Sequence, residues 1–344
     1  MNKPRANNAD IKRIAVFSRG DPLGDGLFKL PFIQSLRATF INAEICWVTS
    51  RRSAYTGPIA ELVAPYLDKV VSETGITEST WDAVFPKKAP LGPIDIAIDT
   101  QTVALRTIAI RRALPAKIFL SASTNYALST IRPPANNIFK STKPKHLVDH
   151  LMVLLRLASN GEPTLDMSPP AIPQRFTDLA ASLLSDTTKT YVGFAPGSGD
   201  TSKRWPLERF LALAKRVSAS GALPVFFIGP NERDLIEQTR QALPEAIFPE
   251  EGLADDAPTG PLLVCALGQH LKAAVANDSG LGHMLALPQI PLVLLFGRHS
   301  PEKYAPRTPR LHPLWAENYG GHGLDLITYE DVEKALLEAL ATPE

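Results

Sequence analysis

The amino-acid sequence predicts an α/β protein of two doubly wound domains, and three observations carry that prediction. Short apolar, β-prone runs alternate with segments whose apolar residues recur at helical spacing, in both halves of the chain. The alternation breaks at residues 160–173 (NGEPTLDMSPPAIP), where proline, glycine and polar residues mark an interdomain linker. Apolar runs pass directly into turns that open helices, the rhythm of a parallel sheet wound by crossover helices. With 344 residues and 44% hydrophobic content, the chain is long enough for two domains with a full core each.

Taken in order, residues 11–18 (IKRIAVFS) read as the first strand. Residues 24–40 read as one helix, with Leu27, Leu30, Ile33, Leu36 and Phe40 at helical spacing. Strands follow at 43–50 (AEICWVTS) and 94–101 (IDIAIDTQ), then a helix at 102–114, a strand at 116–122 and a helix at 146–158. The binding edge of such a sheet is the carboxyl ends of its strands, where residues 19–25, 50–52 and 99–102 gather. Past the linker come a strand at 191–195, a helix at 206–218, a strand at 223–229, helices at 231–242 and 261–270, a strand at 273–276, a helix at 279–287, a strand at 292–297 and a helix at 329–340. The expected limits are 1–160 for the first domain, 161–175 for the linker, 176–327 for the second domain and 328–344 for a terminal helix.

Composition narrows the function classes. Residues 1–13 are polar with no apolar signal region, and no run of about 18 apolar residues occurs, so a cytoplasmic location is expected. Cys46 and Cys265 lie inside apolar runs, which suits reduced, buried thiols better than a disulfide framework or a metal site. The formal charge of +1 hides an asymmetry, because Lys and Arg exceed Asp and Glu in the first half and the reverse holds in the second. Arg51 with Arg52, Lys87 with Lys88, Arg106 with Arg111 and Arg112, and Lys140 with Lys143 and Lys145 could meet an anionic partner such as a phosphorylated lipid or a membrane surface. Each pair also reads as an ordinary solvated face. No nucleic-acid partner, metal or cofactor is expected.

Two stretches carry chemistry. Residues 191–206 (YVGFAPGSGDTSKRWP) run from an apolar strand through a glycine and serine turn to adjacent cations and a proline that can open a helix. Glycines admit an oxyanion to the backbone, Ser198 and Ser202 offer hydroxyls, and Lys203 supplies a compact charge. A strand, a tight turn and a solvated Lys-Arg pair would leave the same pattern. The stretch is neither a Walker A loop nor a Gly-x-Gly-x-x-Gly motif. Residues 273–283 (AAVANDSGLGH) then form a second strand-to-helix turn, whose helix would aim free N–H groups at whatever lies above the strand tips.

PGSG…KRWP followed by NDSGxxH, with Arg19…Gly24-Asp25…Leu30-Pro31 near the N-terminus, resembles the ADP-heptose:lipopolysaccharide heptosyltransferases of glycosyltransferase family 9, over most of the chain and in the same order. The resemblance implies the GT-B architecture, two Rossmann-like domains facing each other across a cleft, the first binding the acceptor and the second the nucleotide sugar, with the terminal helix packing back towards the first domain. It implies an inverting, metal-independent transfer, with ADP-heptose the expected donor and an anionic glycolipid such as the lipopolysaccharide inner core the acceptor. A peripheral contact at the inner face of the inner membrane goes with that substrate.

Inverting transfer needs a base for the acceptor hydroxyl and groups that neutralise the departing nucleoside diphosphate. Asp25, in the glycine-flanked turn LGDG, matches the family's proposed base, although read alone an Asp at a strand-to-helix turn reads first as a helix N-cap, a preference the motif match reverses. Asp21 is better placed to shape the loop. Donor-binding candidates are Ser198, Gly199, Lys203, Asp278, Ser279, Gly280 and His283; Asp278 suits sugar hydroxyls or a turn cap, and Trp205 reads as a packing residue. Arg19, Arg51 and Arg52 are weaker candidates for the acceptor. Where the family commonly has Gly-Pro-Thr-Asp-Pro after the last strand, this chain has Gly297-Arg298-His299-Ser300-Pro301, and a cysteine-rich C-terminal segment of some relatives is absent. Two other readings stay open: the same chemistry with a different nucleotide sugar for another surface glycan, or a non-catalytic nucleotide-binding protein. The joint presence of Asp25, Lys203, Asp278 and His283 speaks against the last.

Overall fold

The computed structural model describes residues 8–134, 144–229 and 232–342, and the chain divides into two units, Met1–Ser168 and Pro169–Glu344. Lys140, Lys143 and the start of the expected helix at 231–242 lie partly or wholly outside the described residues.

The first unit is built on a fully parallel sheet of β1 (Arg13–Ser18), β2 (Glu44–Thr49), β3 (Lys69–Val71), β4 (Ile94–Asp99) and β5 (Ala116–Ser121), in the order β3-β2-β1-β4-β5. β1 and β2 are buried along nearly their whole length, as strands covered by helices on both faces must be. Their starts are pinned where Arg13 faces Glu44, whose carboxylate accepts from Arg13 Nε at 2.6 Å. The helices are α1 (Leu23–Phe28), α2 (Leu30–Thr39), α3 (Ala60–Val63), α4 (Ala104–Ala113) and α5 (Leu147–Ala158).

The single helix expected over 24–40 is in fact α1 and α2, parted at Lys29. Pro31 explains the break: it has no N–H to donate, and it sits comfortably only in the first turn of a new helix. β3 and α3 had no strong pattern, being three and four residues long. Residues 164–168 are strapped to α2: Ser35 Oγ accepts from Asp166 N at 3.0 Å, and Gln34 Nε2 donates to Ser168 O at 3.0 Å.

The second unit has another fully parallel sheet of β6 (Tyr191–Ala195), β7 (Leu223–Phe226), β8 (Leu271–Asn277), β9 (Leu292–Phe296) and β10 (Leu311–Trp315), in the order β10-β9-β8-β6-β7. Around it lie α6 (Gln174–Leu183), α7 (Leu207–Ala219), α8 (Asp234–Ala242), α9 (Pro261–Gly268), α10 (Gly280–Ala286), α11 (Pro301–Tyr304) and α12 (Tyr329–Ala341). β10 was hidden because LHPLW is a half-exposed edge strand carrying a proline. The terminal helix α12, which the resemblance set against the first domain, buries Val332, Ala335, Leu336 and Ala339 in the second unit's own core.

In both sheets the strand order reverses once, between β1 and β4 and between β6 and β8. These are the switch points at which open α/β sheets leave a crevice beyond the strand ends.

Candidate functional site

The two sequence stretches flank the switch point of the second sheet. β6 runs into Pro196–Ser198 and β8 into Asn277–Ser279, and the strands pair directly, Ala195 opposite Ala276. Asn277 ties the turns together: its Nδ2 donates to Pro196 O at 2.8 Å, and its Oδ1 accepts from Trp205 N at 3.1 Å. The side chain is fully buried, so both bonds form away from competing water.

The glycine turn is also clamped from one side. Arg204 Nε and Nη2 donate to Ser198 O at 2.9 and 2.8 Å, and Nη2 also donates to Glu232 Oε1 at 2.7 Å. Glu232 is buried and its other carboxylate oxygen presses on Gly197, where a Cβ would stand 1.9 Å from it. Glycine is required here by close approach, not by a positive φ. Gly199, in contrast, faces open space.

Beyond Gly199, Asp200 caps the short turn Thr201–Lys203 by accepting from Ser202 N at 3.0 Å and Ser202 Oγ at 2.7 Å. Those two bonds, with the charges of Lys203 and Arg298 nearby, hold the Asp200 carboxyl below its usual range. The hydroxyl of Ser202, offered to a phosphate by the sequence reading, is therefore committed to Asp200. Lys203 is half-buried; its backbone N–H donates to Asp200 O at 3.0 Å, and its ammonium makes no hydrogen bond or ion pair among the described residues.

Asp278 is buried, and its Oδ2 lies 2.8 Å from Nδ1 of His299. The cap of α10 is Ser279, whose buried Oγ has no hydrogen-bond partner among the described residues. Gly280 opens the helix, and His283 stands one turn on, its N–H donating to Ser279 O at 3.2 Å. Trp205 is a core residue, with Nε1 donating to Ile327 O at 2.9 Å and its ring edge-on to Phe210.

In the first unit, the loop after β1 is organised by Asp21. Its buried carboxylate accepts from Ser18 Oγ at 2.8 Å, Lys29 Nζ at 2.5 Å, Trp47 Nε1 at 2.8 Å and Ser53 Oγ at 3.2 Å. Asp25 lies in the first turn of α1 and is exposed. The N-cap is Pro22, not Asp25, and no hydrogen bond or ion pair among the described residues engages the Asp25 carboxylate. Behind it Tyr55 donates to Gly26 O at 2.9 Å, and burial, with the charges of Asp21 and Asp25, pushes that phenol well up.

The three arginines considered for the acceptor all meet carboxylates of their own chain. Arg51 grips Glu78 bidentately at 2.8 to 3.0 Å, Arg19 Nε lies 3.7 Å from the same group, and the almost fully exposed Arg52 stands 3.4 Å from Glu73. The Arg51 hydrogen bond, aided by Ser50, holds Glu78 down to about 2. At the first switch point Asp99 is fully buried with no counter-charge among the described residues, accepting from Thr107 Oγ1 at 2.7 Å, Ser121 Oγ at 3.0 Å and Gln101 N at 2.8 Å. Burial outweighs those bonds and raises it to about 6. Burial also raises the two thiols, Cys46 to about 11 and Cys265 to about 12, which makes both inert.

Sequence reasoning missed Lys29, Glu78, Arg204, Asn277, Glu232 and His299 as members of these clusters. Arg204 and Asn277 carried a local signal as neighbours of the motif residues, and His299 as part of the departure from the family pattern at 297–301.

Residues 93–326 match the model of glycosyltransferase family 9 (heptosyltransferase). Over 116 residues the chain is 34% identical to lipooligosaccharide heptosyltransferase 2 of Haemophilus influenzae; the alignment covers 33% of each chain, so the chain spans about a third of that relative's length. A family 9 glycosyl transferase from Veillonella parvula superposes with a TM-score of 0.71 at 21% identity, covering 98% of this chain and 99% of that one. ADP-heptose lps heptosyltransferase II of Escherichia coli superposes with a TM-score of 0.65 at 18% identity, covering 96% and 98%. The fold is shared with both.

Proposed function

Because the chain belongs to glycosyltransferase family 9, matching its model over residues 93–326, we propose that it transfers a sugar from a nucleoside diphosphate, ADP-heptose, to a hydroxyl of an anionic glycolipid such as the lipopolysaccharide inner core. The observation that carries this reading is the Asn277 amide, which joins the PGSG and NDSG turns at one switch point beside the uncommitted Lys203. The diphosphate is assigned to the turn at Ser198 and Gly199 with Lys203 as its cation. Ser279, Gly280 and His283 face the donor sugar and its phosphates, and Asp278, oriented by His299, takes sugar hydroxyls.

The reaction is a single displacement. Asp25 accepts the proton of the acceptor hydroxyl as its oxygen bonds to the anomeric carbon, while the bond from that carbon to the diphosphate oxygen breaks and leaves its electron pair on the nucleotide. Configuration inverts, and Lys203 rather than a metal ion balances the growing phosphate charge. The Asp25 carboxylate, exposed and without a partner among the described residues, supports this role. Arg19, Arg51 and Arg52 serve the acceptor only through charge left over from Glu78 and Glu73. The enzyme works in the cytoplasm on this reading.

A second reading keeps the chemistry and changes the sugar. It is favoured by His299 standing against Asp278 in the segment where the family pattern carries an acid. Calorimetry with ADP, other nucleoside diphosphates and their sugars separates the two. Lys203→Ala should weaken the cognate nucleotide by about ten- to a hundredfold, the worth of one charge-assisted contact at about 1.5 to 3 kcal/mol; unchanged affinity removes the donor assignment.

A further inference from the structure

One surface of the first unit deepens the sugar-transfer reading, on which it rests for the expectation of a peripheral membrane contact. Trp81 and Phe85, at the short turn Thr80–Ala83, are 67% and 71% exposed, with ring centroids 6.4 Å apart, and Val84 between them is 55% exposed. The mount is rigid. Ser79 Oγ accepts from Trp81 N at 3.2 Å, the buried Asp82 carboxylate accepts from Ser79 N at 2.9 Å, and Arg112 of α4 donates to Ala83 O. The aromatic side chains are thus held out into water by a capped turn.

Arg112 also brings α4 alongside. Ile108 lies four residues before it and Leu105 three before that, on the same helix face, and both are exposed. The apolar surface of the turn therefore continues onto the helix. Cations predominate around it: Lys87 and Lys88 follow the turn, and Arg106, Arg111 and Arg112 belong to α4, none of them ion-paired among the described residues, while Glu78, two residues before the turn, is held by Arg51. Across residues 80–88 and 103–114 the one acidic residue is Asp82, buried in its cap.

Clustered exposed apolar side chains mark an interaction surface. Trp and Phe flanked by cations match an anionic bilayer, where rings enter the boundary between headgroups and acyl chains and Lys and Arg meet the phosphates. We propose that this surface, Trp81 and Phe85 with their basic surround, docks the chain on an anionic lipid bilayer. A second copy of the chain is a poorer occupant, because a two-fold contact would set the same cations against each other.

The test uses the full chain with vesicles of phosphatidylglycerol and phosphatidylcholine against phosphatidylcholine alone, across a salt series. Trp47 and Trp205 are buried and Trp315 is half-buried, so Trp81 is the indole whose emission should shift to the blue on binding. Binding should require phosphatidylglycerol and weaken as salt rises. Trp81→Ser with Phe85→Ser should weaken it by about ten- to a hundredfold, and Lys87→Gln with Lys88→Gln by roughly twenty-five-fold, about fivefold per charge. Melting temperature and ADP affinity should be unchanged in both variants. Absent binding, equal binding to neutral vesicles, or undiminished binding by the aromatic variant would overturn the proposal, as would a concentration-dependent dimer lost with the same substitutions. Intact ADP binding without vesicle binding sinks this inference alone, whereas vesicle binding without ADP binding sinks the transfer reading alone.

Discussion

Replacing Gly197 by alanine probes the clamp under the glycine turn. The new Cβ would lie 1.9 Å from Glu232 Oε2 and 2.8 Å from Cδ, both inside van der Waals contact. The backbone cannot easily retreat, because Ser198 O is held by two Arg204 donors and Pro196 O by Asn277. The carboxylate must swing away and abandon its 2.7 Å pair with Arg204. Breaking a fully buried pair costs about 3 to 5 kcal/mol, but Arg204 is about a quarter exposed, so we expect about 2 to 3 kcal/mol. In a unit of this size that lowers the melting temperature by about 4 to 12 °C. Glu232→Ala alone should cost about the same. Once the carboxylate is gone Gly197→Ala has nothing to displace, so the double variant should lose about 2 to 3 kcal/mol, not about twice that. Calorimetric melts of the four proteins measure the coupling. A neutral Gly197→Ala, or two losses that simply add, would refute the clamp.

Asp25→Asn should leave melting temperature and nucleotide affinity near wild type while transfer falls by about 10² to 10⁴, because Asp25 caps nothing and only the proton acceptor is removed; normal turnover would leave the reaction without this base. Asp99 titrates at about 6 when folded against an ordinary 3.8, so between those values the native state holds a proton that the unfolded chain has lost. Its contribution to stability is present below about 3.8 and declines as pH rises through about 6. Melts of Asp99→Asn and wild type from acid to neutral pH should therefore diverge in the variant's favour as pH rises; parallel profiles would show that Asp99 is not protonated in the fold.

What the sequence determined by itself was everything that local pattern can write. Apolar runs and helical spacing placed eight of the strands and most of the long helices, because burial on one face or two imposes its period on any stretch long enough to show it. The turns at 196–199 and 277–280 were legible for a similar reason, since glycine, serine and aspartate at a strand end act on their own backbone. β3, α3, α11 and β10 escaped because they are too short, or too exposed at an edge, to carry a period, and α6 because it buries little beyond Phe176 and Ala180. Tertiary structure decided which charges remain for chemistry. Arg51 and Glu78 are 27 residues apart and Arg204 and Glu232 are 28 apart, and no local rule joins them. The tertiary fold did so, setting Arg19, Arg51 and Arg52 against carboxylates at the first sheet and Arg204 at the second, while the side chains of Asp25 and Lys203 have no ion-pair partner among the described residues. A residue's type is written in the chain, but whether its charge is available depends on which distant carboxylate or cation the fold sets beside it.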